Sequence, residues 1–264
     1  MYYSYDDIIN INISDVIISP ESIRKIDSLK KELLIISKTE KKKVNITNTS
    51  IICKLLNKLT EKNYEKLKKE IIDLICTIKN ENDMMIITNK IFLIASSNRC
   101  LCELFSKLYK ELISINNDFL YIFQENFITY VETLKTIKYI SCNEDYDKYC
   151  DYVKEIDKLI SSLYFFISLM KINICTIDNI ITLLENLIET LNNELENINS
   201  SNEYKDELMN SIFIIIKESI IEIKSNKKYN QIKESILLIK DNSLISKKIK
   251  FKCMDIEDIM NGKN

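Results

Sequence analysis

The chain contains a single glycine, Gly262, and a single proline, Pro20, in 264 residues. Sheets of short strands need many tight turns, and phosphate-binding loops need several glycines, so this shortage nearly excludes both architectures. Apolar residues make up 46% of the chain and charged residues 29%, which is enough to bury a sizeable core. The sequence therefore predicts an all-α globular fold.

Other features of the composition argue against several classes of protein. The longest apolar runs, SIFIII and LYFFISLM, are too short to cross a bilayer, and the acidic start MYYSYDDII lacks the order of a signal peptide. The eight cysteines fall mostly on apolar helix faces, as at Cys53, Cys76, Cys175 and Cys253, and are interpreted as free thiols of a cytoplasmic protein. Because the chain has no histidine and no Cys-x-x-Cys pair, we expect no metal site, no cofactor and no catalytic centre.

The chain divides into three segments. Residues 1–18 form an arm that ends where Ser19 and Pro20 read as an N-cap and a first helical residue. Residues 19–46 contain that helix, to about Ser37, and a Lys-rich joint, KTEKKKVN. Residues 47–264 form the main body of the protein.

Apolar periodicity in the main body predicts five antiparallel helix pairs. In the first pair, Thr60 opens a helix, and in the fourth pair Ser200 and Glu203 form a capping box. The apolar stripe after Thr60 is expected at Tyr64, Leu67, Ile71, Leu74 and Ile78. The later helices are predicted near 82–95, 98–114, 118–139, 149–172, 176–193, 200 onward, 228–239 and 244–260. Such stacked pairs describe an α-solenoid of the HEAT kind, which fits this number of short helices better than a four-helix bundle does.

The stretch LNKLTEKNYEKL, residues 56–67, resembles the opening repeat of the middle domain of eukaryotic translation initiation factor 4G. Two later stretches are similar to the same domain in the same order, and the resemblance covers about residues 47–260. They are FFISLMKINICT, residues 165–176, which keeps Phe165, Leu169, Lys171 and Thr176, and SKKIKFKCMDIEDI, residues 246–259, which keeps Ser246, Ile249, Phe251, Asp255 and Asp258. The chain departs from the family at Ile167, which replaces a glycine, at Lys252, which replaces a methionine, and at Lys248 and Lys250, which replace arginines.

The resemblance implies a scaffold without catalytic residues, which holds both lobes of a DEAD-box RNA helicase of the initiation factor 4A type. In the family the first repeats contact one helicase lobe and the last repeats contact the other. The predicted helicase-binding residues are Asn57, Lys58, Lys62 and Asn63 at one end, and Lys248, Lys250, Asp255 and Asp258 at the other. The apolar members of the motifs, Leu56, Leu59, Tyr64, Ile249 and Phe251, are expected to be core.

The arm carries a second pattern of the same family. Tyr3, Ile8 and Ile9 spell Y-x-x-x-x-L-Φ with Ile at the Leu position, the pattern by which factor 4G binds the cap-binding protein, initiation factor 4E. Tyr164, Leu169 and Met170 also fit this pattern, but they lie in a run expected to be buried. The aliphatics of the arm could instead pack on the chain's own helices.

RNA is a further candidate partner, although the net charge of −2 gives no global attraction to phosphate. Residues 224–252 carry nine lysines against only Glu234 and Asp241, which makes Lys227, Lys228, Lys247, Lys248 and Lys250 candidate RNA contacts or simply a solvated face. We therefore predict a translation initiation scaffold, and the skew toward residues with AT-rich codons favours a viral one. The alternatives are an RNA-binding or mRNA-metabolism module of the same family, or a generic helical interaction module.

Overall fold

The computed structural model describes residues 48–137, 139–141 and 143–263. The arm with Tyr3, Ile8 and Ile9, the predicted helix after Pro20 and the Lys-rich joint lie outside the described residues. Within these residues the protein consists of ten α-helices and two short 3₁₀-helices, as the all-α prediction required. The α-helices are α1 Asn48–Leu56, α2 Tyr64–Cys76, α3 Glu81–Ser96, α4 Cys102–Ile115, α5 Asp118–Thr136, α6 Tyr146–Lys171, α7 Ile177–Glu196, α8 Asn202–Lys224, α9 Tyr229–Asp241 and α10 Lys247–Asn261, with 3₁₀-helices at Glu61–Asn63 and Arg99–Leu101.

Side chains that accept backbone N–H groups fix several helix starts, because the first N–H groups of a helix have no partner within it. Asn80 accepts from Asn82 and Asp83 at the start of α3. Asp145, Thr176 and Ser246 play the same part in α6, α7 and α10. Polar N-cap residues at these four corners therefore mark where the helices begin, in a chain that has only one glycine and one proline.

The predicted capping box at Ser200 and Glu203 is wrong by one residue. Ser201 has the extended backbone of an N-cap, and its hydroxyl accepts from the N–H of Tyr204 at 3.1 Å. This register puts Tyr204 at the third helical position, where a capping box needs Glu or Gln, so the reciprocal bond cannot form. The hydroxyl of Ser200 is buried and has no hydrogen-bond partner among the described residues.

Two helices end in the left-handed region of backbone space. The only glycine, Gly262, follows α10 with φ of 72°, and the next N–H, of Lys263, donates to the Asp258 carbonyl at 2.9 Å. Asn173 follows α6 with φ of 62°, and the N–H of Ile174 donates to the Leu169 carbonyl at 2.9 Å. Gly and Asn tolerate this conformation best, so both residues serve as helix stops.

The helices pack in two layers. Each helix contacts the helix two places further along the chain, so α1, α3, α5, α7 and α9 form a first layer and α2, α4, α6, α8 and α10 a second layer. Several consecutive helices also pack across the layers, among them α1 with α2, α7 with α8, and α9 with α10. This is the contact pattern of an α-solenoid, in which each pair buries its apolar stripe against its neighbours.

The first pair shows how the observed stripe differs from the predicted one. In α2 the fully buried residues are Leu67, Ile71 and Ile75, at intervals of four. Leu74 is only partly buried, because it lies at the side of the helix face that Leu67, Ile71 and Ile75 define. Ile78 lies beyond the end of α2 and is also partly buried. The helix and its orientation were predicted, but the centre of its buried face was not.

Aromatic rings fill the middle of the core, where α3, α4, α5 and α6 meet. Phe166 of α6 contacts rings of two first-layer helices, α3 and α5. Its ring centroid lies 5.0 Å from that of Phe127 and 5.1 Å from that of Tyr130. Phe165 beside it packs edge-on against Tyr109 of α4 at 5.8 Å. Edge-to-face contacts of this kind stabilise beyond the area that they bury. The cluster comprises Phe92, Tyr109, Phe119, Phe123, Phe127, Tyr130, Phe165 and Phe166.

Two buried tyrosines of this cluster provide a matched pair of substitutions. The hydroxyl of Tyr109 donates to the Phe119 carbonyl at 2.7 Å, whereas that of Tyr130 has no partner among the described residues. Tyr109→Phe should therefore lower the free energy of unfolding by about 1 kcal/mol or more, and Tyr130→Phe should leave it unchanged or raise it. Urea denaturation of both variants measures the difference. Equal losses in the two variants would contradict this account of the core.

Candidate functional site

The corner between α1 and α2 carries the first match to the initiation factor 4G motif. Leu56 and Leu59 are 1% and 2% exposed, so both side chains belong to the core, as expected. Asn57, Lys58 and Lys62 lie on the surface. The corner therefore presents three of its four predicted contact residues to solvent.

Asn63 has a different place in this corner. Its side-chain carbonyl accepts from the N–H of Thr60 at 2.7 Å, and its amide N–H donates to the Lys58 carbonyl at 2.7 Å. Both ends of the side chain are thus used to close the turn that leads into α2. Asn63 therefore fixes the backbone of the turn at Lys58.

The last helix, α10, carries the third match. Its buried stripe consists of Ile249, Cys253, Ile256 and Met260, at the spacing of one helical face. On the opposite face lie Phe251, which is 63% exposed, and Met254, which is 46% exposed. The exposed face, which we call the α10 outer face, comprises Lys247, Lys250, Phe251, Met254, Asp255 and Asp258.

The expectation that Phe251 is core is wrong. Residue 251 lies two positions from both Ile249 and Cys253, and a step of two residues turns about 200° around a helix of 3.6 residues per turn. Phe251 consequently faces away from the stripe that those two residues define. The sequence contained this signal for Phe251 and for Met254, which sequence reasoning did not single out at all.

Lys248 and Lys252 fasten α10 to α8. The ammonium of Lys248 lies 3.2 Å from a carboxylate oxygen of Asp206, whose other oxygen accepts from the Ser246 hydroxyl at 2.9 Å. Lys252 donates to the Asn210 side chain at 3.0 Å and lies over the ring of Phe213, 4.5 Å from its centroid. Burial of this side chain lowers the pKa of Lys252 from its ordinary value. Lys248 therefore has a partner inside the chain, whereas Lys250 belongs to the α10 outer face.

The lysines proposed for RNA binding are partly neutralised by carboxylates from other helices. Lys228 contacts Glu185 of α7 at 2.7 Å, and Lys248 contacts Asp206 of α8. Lys227, Lys247 and Lys250 lie exposed on the surface. A count of charges along residues 224–252 could not include partners that are distant in sequence, so it overstates the positive charge of this end.

The residues of the middle match, FFISLMKINICT, belong mainly to the core and to a helix cap. Phe165 and Leu169 are fully buried in α6, where Ile167 is 2% exposed, and Thr176 caps α7. Burial of Leu169 and of Met170 also removes the second Y-x-x-x-x-L-Φ match, which starts at Tyr164, from any partner, as expected. The arm match at Tyr3, Ile8 and Ile9 lies outside the described residues.

Metal binding, membrane insertion and thiol chemistry each require a particular arrangement of side chains. In the part of the chain that the structure describes, no group of three or more Cys, Asp or Glu side chains is placed to hold a metal ion. Nor is any helix of that part long and apolar enough to cross a membrane. The thiols of Cys175 and Cys253 are buried, which raises their pKa to about 12 and about 11, so neither is a reactive thiolate at neutral pH.

Comparison of the chain with protein-family models and with curated proteins finds no match in either. The resemblance to initiation factor 4G consequently depends on the three sequence motifs alone.

The α1–α2 corner offers a test of which of its predicted contact residues stabilise the fold. Asn63→Ala removes both hydrogen bonds of the turn and should lower the free energy of unfolding by about 1 kcal/mol. Lys58→Ala and Lys62→Ala change only exposed side chains and should stay within about 0.5 kcal/mol of the parent protein. Thermal and urea unfolding measure these values. A loss at Lys62 as large as the loss at Asn63 would show that the turn is held differently.

Proposed function

We propose that this protein is a translation initiation scaffold of the initiation factor 4G type. Its solenoid binds a DEAD-box RNA helicase of the initiation factor 4A type, and its arm binds a cap-binding protein of the initiation factor 4E type. By joining the two, it promotes translation of capped mRNA in the cytoplasm, and its composition favours a viral origin. The protein contributes binding surfaces and no catalysis.

The α10 outer face carries the proposal. A terminal solenoid helix in water is expected to show a polar outer surface, because no further repeat covers it. Here Phe251 and Met254 are exposed between Lys250, Asp255 and Asp258, which the resemblance to initiation factor 4G predicts as contact residues. Exposed apolar side chains ringed by charges of both signs are typical of protein-binding surfaces.

The second surface lies at the other end of the solenoid, on the α1–α2 corner with Asn57, Lys58 and Lys62. The helix-to-helix contacts described above run unbroken from α1 to α10, so the two surfaces belong to one packed body. A two-lobed helicase that contacts both surfaces is favoured in the arrangement of its lobes that fits both at once. Differential affinity of this kind shifts the equilibrium between open and closed lobes.

The helicase half of the proposal predicts a stimulated ATPase. Saturating protein should raise the RNA-dependent ATPase rate of its cognate initiation factor 4A-type helicase, and Phe251→Ala with Met254→Ala should weaken helicase binding about tenfold or more. The matched control is Ile221→Ala with Leu238→Ala, which removes two side chains that are 82% and 74% exposed but lie outside the α10 outer face. Both double variants should keep the parent melting temperature.

The helicase proposal is wrong if the ATPase rate does not respond to saturating protein. It is also wrong if the control variant weakens helicase binding as much as the substitutions in the α10 outer face do.

The arm half predicts capture on a cap-analogue resin through the cap-binding protein. Tyr3→Ala with Ile8→Ala should abolish this capture, because anchors at the centre of a small interface each contribute about 2 kcal/mol or more. Helicase binding and the melting temperature should not change. If the double variant melts several degrees lower and is still captured, the arm packs on the protein itself and the cap-linked half of the function fails.

A further inference from the structure

A cavity of ≈ 360 Å³ lies between α3, α5 and α6, away from both proposed helicase surfaces. In this region the rings that join α5 to α6 converge on Phe166, which contacts Phe123, Phe127 and Tyr130. N-terminal to Phe166 along α6, the two helices leave this space between them, with α3 closing one side. A volume of this size is at the lower end of the range of small-molecule sites.

The α6 wall of the cavity changes from charged to apolar with depth. Lys158, Ser162 and Phe166 all line it and are spaced four residues apart, so they lie on one helix face over about 12 Å. Lys158 is exposed, Ser162 is 8% exposed and Phe166 is 1% exposed. The cavity therefore has a charged mouth and an aromatic floor.

The other two walls add apolar surface and a polar atom without a partner. Phe92 and Leu93 line the α3 side, and Tyr130 and Thr133 line the α5 side. Tyr130 is 4% exposed, and its hydroxyl has no hydrogen-bond partner among the described residues. A ligand placed here would meet aromatic and aliphatic surface together with polar side chains of Ser96, Asn126, Thr129 and Thr133, a combination that suits an amphipathic molecule.

The charged groups at the mouth are of both signs and lie at different depths. Lys154 is paired with Asp151, whose carboxylate lies 2.9 Å from its ammonium. Glu155 and Lys158 also line the cavity, and neither makes an ion pair among the described residues. Lys158 lies one turn of α6 before Ser162 and Glu155 two turns before it, so the cation is the unpaired charge nearer to the aromatic floor and is available to an anionic group of a ligand bound there.

We propose that this cavity binds a small amphipathic organic acid, with its apolar body toward Phe166 and its carboxylate at Lys158. At the packing density of protein interiors, the volume suits a body of about a dozen non-hydrogen atoms. The site is independent of the scaffold function, because it uses neither the α1–α2 corner nor the α10 outer face.

Two probes of equal size test the proposal, 4-phenylbutyrate and its neutral amide, 4-phenylbutanamide. Titrations of the full-length protein followed by NMR should give a dissociation constant of about 1 mM or lower for the acid. The amide should bind about fivefold more weakly, because it cannot make a charge-assisted contact with Lys158.

Variants locate the site within the protein. Lys158→Gln should weaken the acid to the level of the amide without changing the amide, while the control Lys227→Gln, on an exposed turn elsewhere, should change neither. Ser162→Leu fills the middle of the cavity and should abolish binding of both probes. Acid and amide of equal affinity, or an acid affinity that Lys158→Gln leaves unchanged, would overturn the proposal.

Discussion

The packing of Phe166 holds the two layers of the solenoid together. Its ring contacts Phe92 of α3 and Phe123, Phe127 and Tyr130 of α5, so one second-layer side chain joins two first-layer helices. Truncating a buried ring of this kind typically costs about 3–5 kcal/mol, which is a large part of the stability of a domain. This contact lies in the middle of the chain of helix contacts that runs from α1 to α10, so it contributes to the relative placement of the two ends.

The proposed function requires two surfaces held at a fixed separation by one packed body. The α1–α2 corner is closed by the Asn63 side chain, and α10 is fastened to α8 by Lys248 and Lys252. The side chains left exposed at the two ends, among them Lys58 and Phe251, are then presented by rigid elements. A scaffold of this kind acts through differential affinity for the conformations of its partner, so the stability of the core and the function of the ends are linked.

The sequence predicted the elements well because the apolar periodicity is strong and local. The predicted helix 82–95 is Glu81–Ser96, and the predicted helix 149–172 is Tyr146–Lys171.

The errors of the sequence-based prediction have physical causes. The cap at Ser201 instead of Ser200 is a shift of one residue between two adjacent serines that local propensity cannot separate. The partners of Lys228 and Lys248, and the cavity below Lys158, depend on helices distant in sequence. The exposure of Phe251 could have been read from its position opposite Ile249 and Cys253, but the family motif was given more weight than the helix geometry.

The central claim is that one helicase contacts both ends of the solenoid at once. Hydrogen–deuterium exchange of the full-length protein, with and without the initiation factor 4A-type helicase, RNA and nucleotide, tests it most directly. The account predicts slower exchange on complex formation at residues 57–62 and at residues 247–258, with no change in α6 and α7 between them. Protection confined to one end, or protection in α6 and α7 with neither end affected, would contradict the account.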